Sequence, residues 1–190
     1  QQFDSLKSQV NPHFLFNTLS SLSALVAEDA DKADDFLNHM SRVYRYMLRS
    51  NHQDWVTLQQ ELVFIHSYYE LLKTRYGNSI RVQMEADVKY NNYTLPPLTL
   101  QLLLDNAITH NTTGKEQPLH ISIATGNNNA LIVKNNLQKK QRSIHNHAAG
   151  LKSLAAKFEL QGIPGFSAEE TAGGFIVTLP LTEKLLSEHK

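Results

Sequence analysis

The sequence predicts an α+β fold. A helical hairpin, dimerising towards a four-helix bundle, precedes an α/β sandwich whose sheet is mixed and mainly antiparallel. Three observations predict it. Residues 1–51 carry apolar side chains at spacings of three and four, the signature of helices with one buried face. Residues 56–190 interleave such helices with short runs of alternating apolar residues, which read as strands. The 190-residue length suits one ordinary domain plus a smaller helical piece, and 41% hydrophobic with 19% charged residues marks a globular chain.

The elements follow in order. Residues 1–27 read as a helix, with Phe3, Leu6 and Val10 before Pro12 and Leu15, Leu19, Leu22 and Val26 after it. A proline inside a helix removes a backbone hydrogen bond at a cost of about 3 kcal/mol, so Pro12 asks for a reason. Residues 31–51 form a second helix, opened by Asp29 or Asp31 and striped by Phe36, Leu37, Met40, Val43, Tyr44, Met47 and Leu48. Its acidic start and Arg42, Arg45 and Arg49 near its end suit the helix dipole. Two such helices joined by a short polar link form a hairpin with too little core of its own, which predicts pairing with a second copy. A third helix starts at Thr57, where Thr57 and Gln60 have capping-box spacing, and stops at Gly77-Asn78. Ile80, Val82 and Met84 alternate as a strand; Pro96-Pro97 opens a helix from Leu98 to His110. Leu119, Ile121 and Ile123 make a strand, residues 126–129 a turn, and Leu131–Val133 the next strand. A polar loop from Asn135 to His147, a helix from Gly150 to Leu160 and a last strand from Gly174 to Leu181 complete the chain, with helices on one face of the sheet.

Bulk properties exclude several functions. Eighteen basic and eighteen acidic residues give a formal net charge of zero, so no overall basic field recruits nucleic acid or anionic lipid. The absence of cysteine removes disulfides and thiolate metal sites. No apolar run reaches the length of about 18 residues that a membrane span needs. The chain begins without methionine and already in helical pattern, which predicts a piece of a longer protein.

Four constellations could carry chemistry. Asp105 and Asn106 sit on an otherwise apolar helix, with His110 beside Asn106. Polar groups there are costly unless partnered, so they read either as a hydrogen-bonded pair or as ligands of a divalent cation with nucleotide phosphates. Gly150 before a helix, with Lys139, Lys140 and Arg142 upstream, reads as a phosphate cradle or as a solvated loop. His13 has Asn17 one turn on, within reach of its ring, and is either a structural histidine or a nucleophile. His145 and His147 invite a metal reading, but without thiols loop histidines are the simpler account.

Together these pieces resemble the LytS-type sensor histidine kinases. L-K-S-Q-V-N-P-H-F-L-F-N-T-L-S-S-L, Leu6 to Leu22, is similar to their phosphoacceptor helix. W-V-T-L-Q-Q-E-L, Trp55 to Leu62, and Y-Y-E-L-L-K-T-R-Y-G, Tyr68 to Gly77, resemble the segments that follow, and L-P-P-L-T-L-Q-L-L-L-D-N-A-I-T-H-N their N-box. The overall pattern, including V-K-N-N-L-Q, looks most like the members from Bacteroidetes-type bacteria. The resemblance implies a dimerisation and phosphotransfer hairpin over 1–55. Over 56–190 it implies an ATP-binding domain of the GHKL, or Bergerat, type shared with gyrase and Hsp90-type ATPases. It makes His13 the phosphoacceptor and Asn17 its candidate orienter, with ATP and Mg²⁺ as cofactors and Asn106 as the Mg²⁺ ligand. Asp105, His110, Asn135, Gly150 and Leu151 fall at nucleotide-binding positions. The implied partners are a second copy and the receiver domain of a response regulator of the LytTR type, and the implied setting is the cytoplasmic side of an inner-membrane sensor.

The chain departs from that pattern in its glycine boxes. Where the family usually has D-x-G-x-G, this chain has Asn135-Asn136-Leu137-Gln138, so a carboxylate acceptor becomes an amide. A neutral hydrogen bond is worth about 1 kcal/mol and a charge-assisted one roughly twice that. The second box reads Ala148-Ala149-Gly150-Leu151, with one glycine lost, and Asp105 stands where glutamate is usual. These departures keep a second expectation open: a non-catalytic dimeric signalling scaffold with a degenerate nucleotide site.

Overall fold

The computed structural model describes residues 12–50, 52–140 and 148–183. Phe3, Leu6, Val10, Arg142, His145 and His147, which figure in the sequence reading, lie outside the described residues.

Helix α1 (Pro12–Glu28) and helix α2 (Ala30–Ser50) form the hairpin, with Asp29 alone between them. The Asp29 carboxylate accepts from the backbone N–H groups of Asp31 and Lys32 and so caps α2. The single apolar stripe read on each helix divides into two faces. Phe36, Met40, Val43 and Met47 are buried, and Leu15 and Leu22 pack against the core. Phe16, Leu19, Val26, Leu37 and Leu48 point outward and are exposed.

The sandwich begins with strand β1 (Val56–Thr57), which pairs antiparallel with β3 (Thr94–Leu95). Helix α3 (Leu58–Tyr76) starts on the expected capping box: the Thr57 side chain accepts from Gln60 N–H, and Gln60 reciprocates to Thr57 N–H. Strand β2 (Ile80–Glu85) follows a short 3₁₀ turn at Gly77–Ser79. Helix α4 (Thr99–His110) then crosses over to β4 (Leu119–Thr125), which lies parallel to β2. A parallel pair needs such a crossover, and this one lays α4 on the sheet. Strands β5 (Ala130–Asn135), β6 (Ser167–Thr171) and β7 (Gly174–Pro180) complete a five-stranded sheet in the order β2-β4-β5-β7-β6, antiparallel after the first pair. Helix α5 (Ala148–Leu160) lies between β5 and β6 in the chain.

Ile80, Leu119, Ile121, Ile123, Leu131, Val133, Val177 and Leu179 face the core from the sheet. Leu100, Leu103, Leu104, Leu154 and Phe158 meet them from α4 and α5. Arg81, Gln83, His120 and Lys134 alternate with these on exposed positions, so one face of the sheet is apolar and covered and the other polar.

The structure departs from expectation in several places. Leu98 is not in the helix but caps it in the left-handed conformation, with φ 61°. Helix α5 starts at Ala148, so Gly150 lies within its first turn rather than ahead of it. Strand β6 was not expected at all: Ser-Ala-Glu-Glu-Thr is nearly all polar and exposed, so it carries no apolar alternation.

Candidate active site

A cleft of about 370 Å³ opens between α4, the inner face of β5 and β7, and the start of α5. Its apolar floor comes from Leu103, Ala107, Val133, Leu151, Phe175 and Val177. Its polar groups are Asn106, His110, Asn111, Asn135, Lys139, Lys140 and Glu170. This size and mixture suit a small molecule held by an apolar body and a few fixed polar contacts.

Asn106 is the telling residue. It is 5% exposed, and neither its amide nitrogen nor its amide oxygen has a hydrogen-bond partner among the described residues. A buried amide left unsatisfied costs about 1–3 kcal/mol, which a ligand supplying an acceptor or a cation returns. An amide oxygen is a hard donor of the kind Mg²⁺ takes, so the residue fits the proposed metal. His110 lies one turn on and lines the same cleft, as the spacing predicts.

Asn135 ends β5 on the opposite wall and is buried. Its Nδ2 donates to the Asn136 carbonyl at 2.7 Å, which turns Oδ1 into the acceptor available to a ligand amino group. Its register partner on β7 is Phe175, and the preceding Gly174 has φ 142°, where a Cβ would run into the Asn135 carbonyl oxygen. Only glycine allows this approach.

In place of the missing glycines, the segment after Asn135 is held by hydrogen bonds to the end of α4 and the loop beyond it. Asn136 Nδ2 and Gln138 Nε2 both donate to the Pro118 carbonyl. Gln138 N–H donates to Asn111 Oδ1 at 2.7 Å, Lys140 N–H to the His110 carbonyl, and Lys140 Nζ to the Ile108 carbonyl. Lys139 reaches across the mouth to Glu170 at 2.7 Å.

Two expected site residues fall elsewhere. Asp105 does not line the cleft; the helix turns it about 100° from Asn106, and it accepts from the Tyr68 hydroxyl at 2.6 Å. Burial pushes its carboxyl up to about 6, against the lowering effect of hydrogen bonds from Tyr68 and Gln101. Gly150 does not line it either, whereas its neighbour Leu151 does. A Cβ on Gly150 would come 2.7 Å from Leu102 Cδ1, so its role is close packing of α5 on α4.

His13 lies on exposed α1, where its Nδ1 is 3.3 Å from the Asn17 amide, as the spacing of four predicts. Its neighbour Phe14 turns inward and packs on Tyr44 and on Tyr68 of α3, with ring centroids 5.9 and 5.3 Å apart. Glu170, Asn111 and Phe175 were not legible as site residues. Glu170 belongs to the unexpected strand, Asn111 closes the N-box-like run without having been singled out in it, and nothing in the local sequence marks Phe175.

A profile described as histidine kinase matches residues 1–80. The sensor histidine kinase/phosphatase LytS of Staphylococcus aureus strain MRSA252 is 33% identical over 141 residues, 72% of this chain and 24% of that protein. The LytS of strain Mu50 matches to the same extent. The match thus spans about a quarter of the length of these curated relatives. Among solved structures, the cytoplasmic segment of histidine kinase QseC aligns with 19% identity and a TM-score of 0.44, covering 67% of this chain and 78% of that one. The Erythrobacter litoralis EL346 blue-light activated histidine kinase aligns with 13% identity and a TM-score of 0.45, covering 91% and 59%.

Proposed function

Because the chain belongs to the LytS-type histidine kinases, we propose that it is the catalytic core of a two-component sensor. In this reading His13 takes the γ-phosphoryl group of ATP and passes it to an aspartate on a response-regulator receiver domain of the LytTR type. The observation that carries the reading is Asn106: a buried amide, lining a cleft of nucleotide size, with neither polar atom satisfied among the described residues.

The chain's own residues divide the work between the two parts, 1–55 and 56–190. His13 attacks through Nε2, which requires the ring proton to sit on Nδ1. Asn17 then presents Oδ1 to that N–H, a reversal of its amide that exchanges two nearly isosteric atoms. As the bond from Nε2 to phosphorus forms, the bond from phosphorus to the β–γ bridging oxygen breaks and ADP leaves with its electron pair. Asn17 Oδ1 steadies the positive charge that the ring acquires. Mg²⁺, when bound, neutralises phosphate charge, with Asn106 as its protein ligand. Asn135 accepts from the base amino group, Leu151 and Phe175 enclose the base, and Lys140, whose Nζ donates only to the Ile108 carbonyl among the described residues, supplies positive charge. Positioning and charge neutralisation are what such an in-line transfer needs. The exposed stripes on α1 and α2 support a homodimer, and the need for ATP supports a cytoplasmic setting. Among the described residues no helix is long and apolar enough to cross a membrane.

The alternative, a non-catalytic dimeric scaffold, draws on one feature: Asn135–Lys140 has lost its glycines and is tied down to Pro118, Asn111 and His110. Titrating ATP–Mg²⁺ into the purified protein separates the two. The kinase reading expects saturable binding, followed by label transfer that His13→Gln abolishes and Asn106→Ala prevents at the binding step. Absence of binding at millimolar nucleotide leaves the scaffold.

A further inference from the structure

Glu61 of α3 is a fully buried carboxylate. Its Oε1 accepts from the Tyr46 hydroxyl of α2 at 2.6 Å and from Leu98 N–H at 2.8 Å, and its Oε2 from Leu100 N–H at 3.0 Å. Among the described residues no cation forms an ion pair with it. A buried charge without a counter-ion is an expensive way to fill a core, and an apolar residue of similar volume serves stability better. What the carboxylate provides is direction: it grips the first N–H groups of α4 and joins them to the hairpin. The grip falls where the chain is strained, at Leu98, whose φ of 61° is unusual for a leucine.

A second bridge lies farther along the same two helices. The Tyr68 hydroxyl donates to Asp105, the neighbour of Asn106, while the Tyr68 ring packs on Phe14, the neighbour of His13. One side chain of α3 therefore touches the residue beside the acceptor and the residue beside the cleft amide.

We propose that Glu61 and Tyr68 are positioning residues that fix α4, and with it Asn106, relative to the hairpin that carries His13, and that they set the rate of phosphoryl transfer and not the affinity for nucleotide. This rests on the kinase reading for its rate, but the orientation it asserts does not. Asn106 lies about 12 Å along the helix from Leu98, so a rotation of the whole sandwich by about 10° about the gripped end, with the cleft intact, moves Asn106 by about 2 Å relative to the hairpin. A misplacement of about 1 Å is enough to slow an oriented transfer by about a hundredfold.

The test removes single hydroxyl groups. In Tyr46→Phe and Tyr68→Phe the packing surface stays and one bridge goes. A fluorescent ATP analogue gives the dissociation constant, and single-turnover label transfer to His13 gives the rate. Expected are dissociation constants within about twofold of the parent and transfer slowed by about tenfold or more. Glu61→Gln, which keeps one carbonyl acceptor, falls between the parent and Glu61→Ala. A rate unchanged or raised, or a loss confined to nucleotide affinity, overturns the proposal. A readout independent of activity uses the absence of native cysteine. Spin labels on Ser23→Cys in α1 and Gln83→Cys in β2 report the distance between hairpin and sheet. A narrow distribution in the parent that broadens in both Tyr→Phe variants, at matched folded fraction, supports the bridges. Identical distributions overturn them. If the parent binds no nucleotide, the kinase reading falls and the distance measurement still decides this one.

Discussion

Asp105 and Asn106 are adjacent, yet one is satisfied by Tyr68 and the other has no hydrogen-bond partner among the described residues. The sequence showed two polar residues on an apolar helix and could not say that they served different masters, because the Tyr68 hydroxyl lies 37 residues away. The buried carboxyl has a consequence for pH. Its folded-state value of about 6 exceeds the ordinary aspartate value of 3.8, so the folded protein binds this proton more tightly than the unfolded chain. Stability from this group is therefore highest below pH 4, falls as pH rises to 6 and is flat above. Burial pushes Glu61 in the same direction. Asp105→Asn keeps an acceptor for Tyr68 and removes the titration, so urea denaturation at pH 4.5 and 7.5 should show it less pH-dependent than the parent by about 2 kcal/mol. An equal pH dependence in the two proteins means that Asp105 titrates normally. Asn135 offers a second prediction. Restoring the family's aspartate by Asn135→Asp does not simply improve a nucleotide site, because the amide nitrogen already donates to the Asn136 carbonyl. The variant loses that donor and sets a carboxylate against a carbonyl, so denaturation should show a loss of about 1–3 kcal/mol.

At the scale of elements, legibility followed the locality of the cause. The capping box of α3 is contained in four residues and was read correctly from spacing. The His13–Asn17 pair and the shared cleft position of Asn106 and His110 come from helical spacing and were read in the same way. Strands β1 and β3 are two residues each and exist because they pair with each other across the chain, which no local pattern records. The left-handed Leu98 is likewise held from outside, by Glu61. The close approach of β7 to β5 has a local mark, the Gly173-Gly174 pair, but which glycine matters is visible only in three dimensions. Gly174→Ala places a Cβ against the Asn135 carbonyl at a strained φ, so it should cost about 3 kcal/mol or more and disturb the cleft wall. Gly173→Ala, whose nearest neighbour is the flexible end of Lys134 at 3.5 Å, should stay within about 0.5 kcal/mol of the parent. Equal thermal shifts for the two variants would contradict the assignment.

For the whole molecule, the order of parts was legible: a hairpin, then a sandwich with its helices on one face. What the sequence blurred was which apolar residues of the hairpin the chain covers by itself. Two faces that both need covering, one by the sandwich and one by something else, give a single broad stripe in sequence. The structure separates them. Phe36, Met40, Val43 and Met47 are buried within the chain, while Phe16, Leu19 and Val26 on α1 and Leu37 and Leu48 on α2 remain outside. Exposed large apolar residues scattered singly need no explanation, but here they recur along both helices of one hairpin. In the proposed homodimer a second copy, whose own hairpin offers the same stripe, covers them in a four-helix bundle. Because Val26 and Leu37 are 64% and 48% exposed, glutamate at both positions takes little from the folding of one chain. In the proposed homodimer it puts like charges into the interface. Sedimentation equilibrium at tens of micromolar should therefore find the parent at twice the chain mass and the Val26→Glu, Leu37→Glu variant at the chain mass, with thermal unfolding of the variant still cooperative. A parent that sediments as a single chain would leave this face to a different partner and remove the homodimer from the proposed mechanism.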